Sequence, residues 1–240
     1  MLSLICPTKN RPDNVLRLVK NLYDTVTENI EIIFVYDKTE KSPLYTLTEI
    51  KNSVSINILN RERSDFLNRD YYNYGIQQSK GNILWCIGDD IIFKTRNWNT
   101  ILKERIEEYL KDKPDRIAYI SVNEVNSRAK HPCFPLITKE SFQALGMYFH
   151  PDLMSWGADR CLYELYSGIN RILHIPEVEI QHLSYHDNSG IFDETAKSMK
   201  ERFFRDPNCH NKVCSDIIPK QIEKLKQIIE EKTNDSKNVL

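Results

Sequence analysis

The chain has 240 residues, of which 40% are hydrophobic and 28% are charged, and its formal net charge is −1 at pH 7. A chain of this size can bury a substantial core, and the composition is typical of one large α/β domain with or without a modest appendage. Acidic and basic residues are intermixed, which excludes the electrostatic footprint of a protein that binds nucleic acid or an anionic membrane surface. We therefore expect a compact protein that binds small ligands.

The cysteines and the hydropathy of the chain indicate where in the cell the protein is expected. The six cysteines are spaced irregularly, include no CxxC pair and lie in several cases within apolar runs, which is typical of reduced thiols in a cytoplasmic protein. No uncharged apolar run reaches the about 18 residues that are needed to span a bilayer, and no basic segment with a cleavage site precedes the first apolar run. We expect a soluble, cytoplasmic protein without a transmembrane segment.

Strands and helices alternate along the first hundred residues. Four apolar runs predict strands: residues 2–7, 30–36, 54–59 and 83–93. Apolar residues at helical spacing predict helices between strands, the first beginning near Pro12. Parallel strands joined by helices form a sheet that binds ligands beyond the carboxyl ends of its strands. Four polar segments should therefore lie along one rim: residues 7–11, 37–39, 61–65 and 88–90.

The second half mixes the two kinds of element less regularly. Helices are predicted at about residues 98–111, 138–146 and 156–168, and strand-like runs at residues 117–122, 133–137 and 172–186. The tail adds helical segments at roughly residues 192–204 and 219–232, before a polar end that we expect to be disordered. The last helix carries an apolar stripe, which predicts that it packs on the body of the protein: Ile218, Ile222, Leu225 and Ile229.

An acidic pair interrupts the fourth apolar run, ILWCIGDDIIF. Asp89 and Asp90 follow a stretch rich in Ile and aromatic residues, which reads as a strand that is buried on both faces. Adjacent carboxylates are costly in such a place unless a positive group lies against them. The pair therefore indicates a metal ion, although a strand that ends in an ordinary polar turn would explain the same residues.

Several short motifs follow one another in a recognisable order. PTKNRP follows the first strand, Asp37 the second, and Asn73-x-Gly75 precedes Lys80-Gly81 and the run ILWCIGDD. Residues 134–165 then add a strand, a short helix that ends in Gly, a Phe-x-Pro turn and an acidic helix start. This order, from residue 2 to about residue 186, resembles glycosyltransferase family 2, whose members have the GT-A fold.

The resemblance implies an α/β, Rossmann-like GT-A domain over residues 1–186, with a mostly parallel central sheet flanked by helices. Residues 1–95 would form the nucleotide-sugar-binding half and residues 96–186 the acceptor half. Residues 187–240 would be a C-terminal helical extension that packs on the domain. The implied activity is an inverting, metal-dependent transfer of a sugar from a nucleotide-diphosphate sugar to an acceptor hydroxyl.

The resemblance also implies a cation site. Family members hold Mn²⁺ or Mg²⁺ on the donor's pyrophosphate with an acidic motif at the end of the fourth strand. Asp90 matches the metal-binding position and Asp89 the middle position, whereas Gly88 replaces the first acid, which shifts that acid's task to Asp89 or weakens metal binding. His182 is expected to complete the cation's shell, with His186 as a substitute, and an imidazole ligand favours Mn²⁺.

By the same resemblance, Pro7, Thr8 and Arg11 match the family's wall around the base and ribose. The residues expected to bind the donor are Pro7, Thr8, Arg11, Asp37, Arg61, Asn73 and Asp89. Asp37 matches a family acid that accepts the N3–H of uracil, so that a UDP-sugar is the leading donor. Arg61 would face the nucleotide, and Asn73 would cap or brace the metal-bearing loop. Each assignment has an alternative: Asp37 could be an ordinary turn acid, Arg61 a surface cation and Asn73 a buried structural amide.

Inverting transfer needs a carboxylate that removes the proton of the attacking acceptor hydroxyl. The family's base is the second acid of a Glu-Asp pair at a helix start, and the chain has Ala158-Asp159 there, so Asp159 alone matches. An acid at a helix start is also an ordinary stabilising residue. Trp156 is a candidate wall for the acceptor's sugar ring, or else a core residue.

Two other functions remain open at this level. A sugar-phosphate nucleotidyltransferase can share the fold and the acidic strand tip, but it normally carries a Gly-rich phosphate loop, and PTKNRP contains no glycine. A non-catalytic module that binds a nucleotide sugar or a glycan is made credible by Gly88 and Ala158, each of which replaces an acid that the family usually has.

Overall fold

The computed structural model describes residues 1–40, 42, 44, 51–125, 131–154, 157–184, 189–205 and 207–237. The expectations for Trp156, for His186 and for the end of the chain at residues 238–240 lie outside the described residues. Residues 233–237, which we expected in the disordered end, continue the last helix instead. Half of the connection between the second and third strands, at residues 38–53, lies outside the described residues as well.

An eight-stranded sheet forms the centre of the molecule. Its strands are β1 (Leu2–Pro7), β2 (Ile30–Asp37), β3 (Val54–Arg61), β4 (Ile83–Cys86), β5 (Ile91–Phe93), β6 (Tyr119–Val125), β7 (Leu136–Thr138) and β8 (Ile172–His182). They lie in the order β3-β2-β1-β4-β7-β6-β8-β5. The first four strands in this order are parallel, and β6 is parallel to β8. Strand β7 runs antiparallel to β4 and β6, and β5 runs antiparallel to β8.

The apolar run at residues 83–93 does not continue as one strand. It is divided into β4, which lies next to β1, and β5, which pairs with β8 at the far edge of the sheet. The division falls at residues 87–90, where Gly88 and the two acids turn the chain. The acidic pair therefore lies in a turn that joins two distant strands of the sheet.

The described residues form eight α-helices: α1 (Pro12–Thr25), α2 (Tyr74–Gln77), α3 (Trp98–Leu110), α4 (Lys139–Leu145), α5 (Ala158–Gly168), α6 (Glu194–Arg205), α7 (Pro207–Lys212) and α8 (Ile218–Lys237). Wide π-helical turns, Asn68–Asn73 and Val213–Ile217, precede α2 and α8. Local signals set several ends: Thr138 accepts the backbone N–H of Ser141 to cap α4, and Gly146, at φ 75°, ends that helix in the left-handed conformation. Within the described residues, none of the helices combines the length and the apolar character that crossing a bilayer requires.

The sheet separates two apolar cores because successive strand residues point to opposite faces. Leu4 and Phe34 lie on one face, under α1 and α3, whereas Ile5 and Val35 lie on the other face with residues of α5 and α8. Phe93 stacks on Trp98 of α3 at 4.3 Å between ring centroids. Both faces of β1 and β2 are covered, which explains why these strands read as continuous apolar runs.

The last helix packs on the body as its apolar stripe predicts. Leu225 is fully buried, and Ile218, Ile222 and Ile229 join the same core. A side chain at Gly168 of α5 would clash with Ile222, so the glycine lets the two helices approach closely. The C-terminal helix is thus an integral part of one face of the fold.

We predict that Leu225→Ala lowers the free energy of unfolding by about 2–5 kcal/mol, because the change leaves a cavity between α8 and the body. Chemical denaturation followed by circular dichroism measures the loss. Lys224→Ala, at the exposed neighbouring position, is the matched control and should change the free energy by less than about 0.5 kcal/mol. Equal midpoints for the Leu225 variant and the wild type would show that α8 is not part of the cooperative core.

Candidate active site

Strand register brings the acidic turn next to the loop that follows β1. Ile5 of β1 pairs with Cys86 of β4, and three residues beyond this pair Thr8 meets Asp89. The Thr8 hydroxyl donates a hydrogen bond to Asp89 Oδ2 at 2.5 Å. The parallel pairing of the two strands therefore places these polar residues together at the carboxyl ends of β1 and β4. Ligands of such sheets bind beyond the carboxyl ends of the strands.

The rim encloses a cavity of about 300 Å³. This volume is at the lower end of the range that is usual for pockets that bind small ligands, about 300–1,000 Å³. The residues that line it include most of those selected from the sequence: Pro7, Thr8, Arg11, Asp37, Asp89, Asp90, Asp159 and His182. The acidic turn and the start of α5 thus open into the same cavity.

Arg11 supplies the positive charge that the acidic pair needs. Its Nη1 lies 3.1 Å from Asp89 Oδ1 and 3.4 Å from Asp90 Oδ2, and Asn14 Nδ2 donates to Asp89 Oδ1 at 3.2 Å. Burial and the charge of Asp90 raise the pKa of the Asp89 carboxyl above its ordinary value. Burial also acts to raise the pKa of Asp90, but the hydrogen bond and charge of His182, with the charge of Arg11, hold it below its ordinary value. Asp90 is therefore the acid of the pair whose ionised form the surrounding groups favour.

His182 lies beside Asp90 because of the pairing between β5 and β8. Ile91 is opposite His182 in this antiparallel pair, so His182 is adjacent to the residue that precedes Ile91. His182 Nε2 is 3.5 Å from Asp90 Oδ1. A side chain at position 88 would clash with this same oxygen, so Gly88 leaves room for the carboxylate to turn toward the imidazole.

Asp90 and His182 together fit a divalent cation. A carboxylate oxygen and an imidazole nitrogen suit Mn²⁺, and their 3.5 Å separation is one that two ligands of a single ion can have, since each binds at about 2.1 Å. In the part of the chain that the structure describes, no group of three or more His, Cys, Asp or Glu side chains is placed to hold an ion. The pair therefore fits an ion that takes further ligands from a bound molecule or from water.

Asp37 lines the cavity at the end of β2 and is buried. The Tyr71 hydroxyl donates a hydrogen bond to Asp37 Oδ1 and accepts the backbone N–H of Ser64 at 3.0 Å. Tyr71 belongs to the π-helical turn Asn68–Asn73. The π-helical turn thus orients the Asp37 carboxylate through the hydroxyl of Tyr71.

Arg61 and Asn73 are directed elsewhere, and neither is among the described lining residues. Arg61 contacts the carbonyl of Asp70 and its carboxylate, at 3.5 Å from Oδ1, and lies over the ring of Tyr74 with 4.9 Å to its centroid. Asn73 donates to the carbonyl of Phe149 at 2.8 Å and accepts the N–H of Tyr148 at 2.8 Å. Asn73 therefore braces residues 148–149 and not the acidic turn that we expected it to brace.

Asp159 lies in the first turn of α5, which begins after Gly157 at φ 84°. A helix N-terminus interacts favourably with a carboxylate. Asp159 Oδ2 lies 3.3 Å from Nε2 of His131, and this hydrogen bond raises the pKa of the imidazole. Asp159 therefore lines the cavity while its carboxylate contacts His131, which is not among the described lining residues.

The shortest ion pair of the site comes from a residue that the sequence analysis missed. Asp193, just before α6, binds Arg11 with both oxygens, at 2.7 Å from Nε and 2.8 Å from Nη2. Thr195, Ser198 and Met199 line the same cavity. His131 and Tyr71 were also missed. The available signal was slight: Asp193 has the residue type of a helix N-cap, and nothing in the sequence relates it to Arg11.

Comparisons with known proteins identify the family and the fold of the chain. The family model for glycosyl transferase family 2 matches residues 3–157. No curated protein sequence matches the chain.

Solved structures share the fold at low sequence identity. The mannosyltransferase PcManGT from Pyrobaculum calidifontis, in complex with GDP-Man and Mn²⁺, is 14% identical with a TM-score of 0.60, over 95% of this chain and 73% of that chain. S. aureus TarS is 13% identical with a TM-score of 0.60, over 95% of this chain, which spans 42% of the TarS chain. TarS 1–349 with UDP-GlcNAc is 13% identical with a TM-score of 0.57, over 95% of this chain and 80% of that chain.

These likenesses confirm the GT-A fold that the sequence predicts. The family match extends from β1 through the acidic turn to the residue that precedes α5, and it covers more than half of the 240 residues. The chain therefore belongs to glycosyltransferase family 2 and is a glycosyltransferase.

Proposed function

We propose that the protein is an inverting, metal-dependent glycosyltransferase that moves a sugar from a nucleotide-diphosphate sugar, with a UDP-sugar favoured, to an acceptor hydroxyl. The observation that carries the proposal is that Asp90 and Asp159 line one cavity. Asp90 lies beside Arg11 and His182, whereas Asp159 lies beside His131. Two carboxylates in different surroundings suit two different roles.

The donor's diphosphate is assigned to the end of the cavity at the acidic turn. Asp90 and His182 would hold Mn²⁺ or Mg²⁺ there, and the bound ion would neutralise the departing diphosphate. Arg11, directly before α1, adds a fixed cation at the positive end of that helix, where backbone N–H groups attract anions. The presence of Mn²⁺ with GDP-Man in PcManGT supports this assignment.

Asp159 is assigned the role of general base. The acceptor oxygen forms a bond to the anomeric carbon, the bond from that carbon to the diphosphate oxygen breaks, and the diphosphate leaves with the electron pair. Asp159 accepts the proton of the acceptor hydroxyl as the new bond forms. His131 fixes the carboxylate through Oδ2, which leaves the base oriented before the acceptor binds.

Asp37 supports a uracil base in the donor. Its buried carboxylate is oriented by Tyr71, and a carboxylate suits the imide N–H of uracil. TarS was solved with UDP-GlcNAc and PcManGT with GDP-Man, so both nucleotides belong in the test.

The proposal includes the arrangement and location of the chain. The catalytic domain would comprise residues 1–186, and the extension at residues 187–240 would add one wall of the cavity through Thr195, Ser198 and Met199. A cytoplasmic location is supported by the thiols of Cys6 and Cys86, which are buried in the core and take part in no disulfide.

The purified protein should release UDP from at least one UDP-sugar when Mn²⁺ and a panel of glycan acceptors are present, and a chelator should stop the release. A parallel panel of GDP-sugars tests the base preference. Release of pyrophosphate from a nucleoside triphosphate and a sugar phosphate would instead support a nucleotidyltransferase. Binding of a nucleotide sugar without any turnover would support a binding module and would contradict the proposal.

We predict that Asp90→Asn weakens Mn²⁺-dependent binding of the donor by at least about tenfold, because the amide removes the charged ligand from the cation site. Titration calorimetry with UDP, with and without Mn²⁺, measures the effect. Asp112→Asn removes a carboxylate at an exposed position near the end of α3 and is the matched control. If Mn²⁺ strengthened UDP binding equally in both variants, Asp90 would not be a metal ligand.

We predict that Asp159→Asn retains the donor affinity of the wild type and loses turnover by about 10²–10⁴-fold, the usual contribution of a general base. Initial rates of nucleotide release, with UDP affinity measured on the same samples, separate the two effects. Asp152→Asn is the control, since that carboxylate is 69% exposed in a nearby turn. A rate for the Asp159 variant equal to that of the wild type would remove this residue from the mechanism.

A further inference from the structure

The segment that we call the strap, residues 193–205, crosses one side of the cavity. At its start the Thr195 hydroxyl donates to the backbone carbonyl of Lys9 at 3.2 Å. At its end Arg205 Nη1 lies 2.6 Å from Asp65 Oδ2. The strap is therefore tied to the loop after β1 at one end and to the segment after β3 at the other, and Thr195, Ser198 and Met199 face the cavity between these ties.

With Asp193 bound, all three nitrogen atoms of the Arg11 guanidinium contact carboxylates. Nε and Nη2 bind the two oxygens of Asp193 at 2.7 and 2.8 Å, while Nη1 contacts Asp89 and Asp90. The hydrogen bond from Arg11 lowers the pKa of the Asp193 carboxyl. A paired, two-point contact of this kind is among the strongest side-chain hydrogen bonds, and Arg forms it equally with carboxylates and phosphates.

The same carboxylate also begins the helix of the strap. Asp193 Oδ1 accepts the backbone N–H of Ala196 at 2.9 Å, which is the hydrogen bond of an N-cap residue. A ligand that takes Asp193 away from Arg11 would therefore also shift the first turn of α6. Binding at Arg11 is coupled in this way to the position of the strap.

We propose that Asp193 is an internal competitor of the donor's phosphates for Arg11, so that nucleotide binding displaces this carboxylate and releases the strap. The inference rests on the proposed function, because it takes the diphosphate to lie at the acidic turn beside Arg11. In the free protein the carboxylate offers Arg11 the two oxygens that a phosphate group would offer. Asp193 thereby lowers the affinity for the donor and favours ligands that carry a competing oxyanion.

Asp193→Asn is the test variant, because asparagine keeps the shape and the N-cap hydrogen bond while it removes the charge. We expect this variant to bind UDP roughly three- to tenfold more tightly than the wild type in titration calorimetry with Mn²⁺, since a pair that is partly open to solvent competes only moderately. Glu194→Gln is the matched control. It removes the same charge one residue along the chain, from a side chain that is 92% exposed and whose nearest described cation is Lys197 at 3.9 Å, and UDP affinity should not change.

Hydrogen exchange of the strap gives a second readout. In the wild type, UDP should accelerate exchange of the amides of α6. In ligand-free Asp193→Asn these amides should already exchange faster than in Glu194→Gln, because the strap keeps its N-cap but has lost its charged contact with Arg11. Unchanged or weaker UDP binding by Asp193→Asn, with normal binding by the wild type, would overturn the inference and leave the proposed function intact. If the wild type bound only GDP, the same comparison of variants would be made with GDP. If it bound neither UDP nor GDP, the proposed function would fail and this inference with it.

Discussion

Two adjacent carboxylates in a turn at the end of a buried strand impose the main constraint on this molecule. Burial and mutual repulsion make Asp89 and Asp90 costly unless positive charge lies within a few ångströms. Arg11 supplies this charge from the loop after β1, and His182, at the end of β8, places its imidazole 3.5 Å from Asp90. The rim of the cavity is arranged so that each acid has its own partners.

The registers of two strand pairs in the sheet are sufficient to produce this arrangement. The parallel register of β1 and β4 brings Thr8 and Asp89 together, and the antiparallel register of β5 and β8 places His182 beside Asp90. The acidic turn lies between these two pairings and is held on both sides. A shift of one residue in either register would turn the side chains to the opposite face and separate the charges, so the fold and the site depend on the same hydrogen bonds.

Sequence patterns predicted the features that depend on neighbouring residues and missed the contacts between residues that are far apart in the chain. Apolar runs and caps are local, so the strands, most helices and the rim positions of Asp37 and Asp90 could be predicted from them, whereas Asp159 was selected through the resemblance to the family. The contact of Arg61 with Asp70 and the ring of Tyr74 depends on where the π-helical turn lies relative to the end of β3, which no local sequence pattern records. The pairing of Asp193 with Arg11 joins residues 182 positions apart and required the three-dimensional structure.

The two acids that the family usually has and that this chain lacks are explained by the same charge constraint. A side chain at position 88 would collide with Asp90 Oδ1, and an acidic one would add negative charge where Arg11 already faces Asp89, Asp90 and Asp193. Gly88 therefore lets Asp90 turn toward His182. At position 158, the buried Ala is the first residue of α5, and the neighbouring Asp159 has His131 as its partner. Both replacements reduce the negative charge that the cavity must balance, while Asp90 and Asp159 each keep a basic side chain beside them.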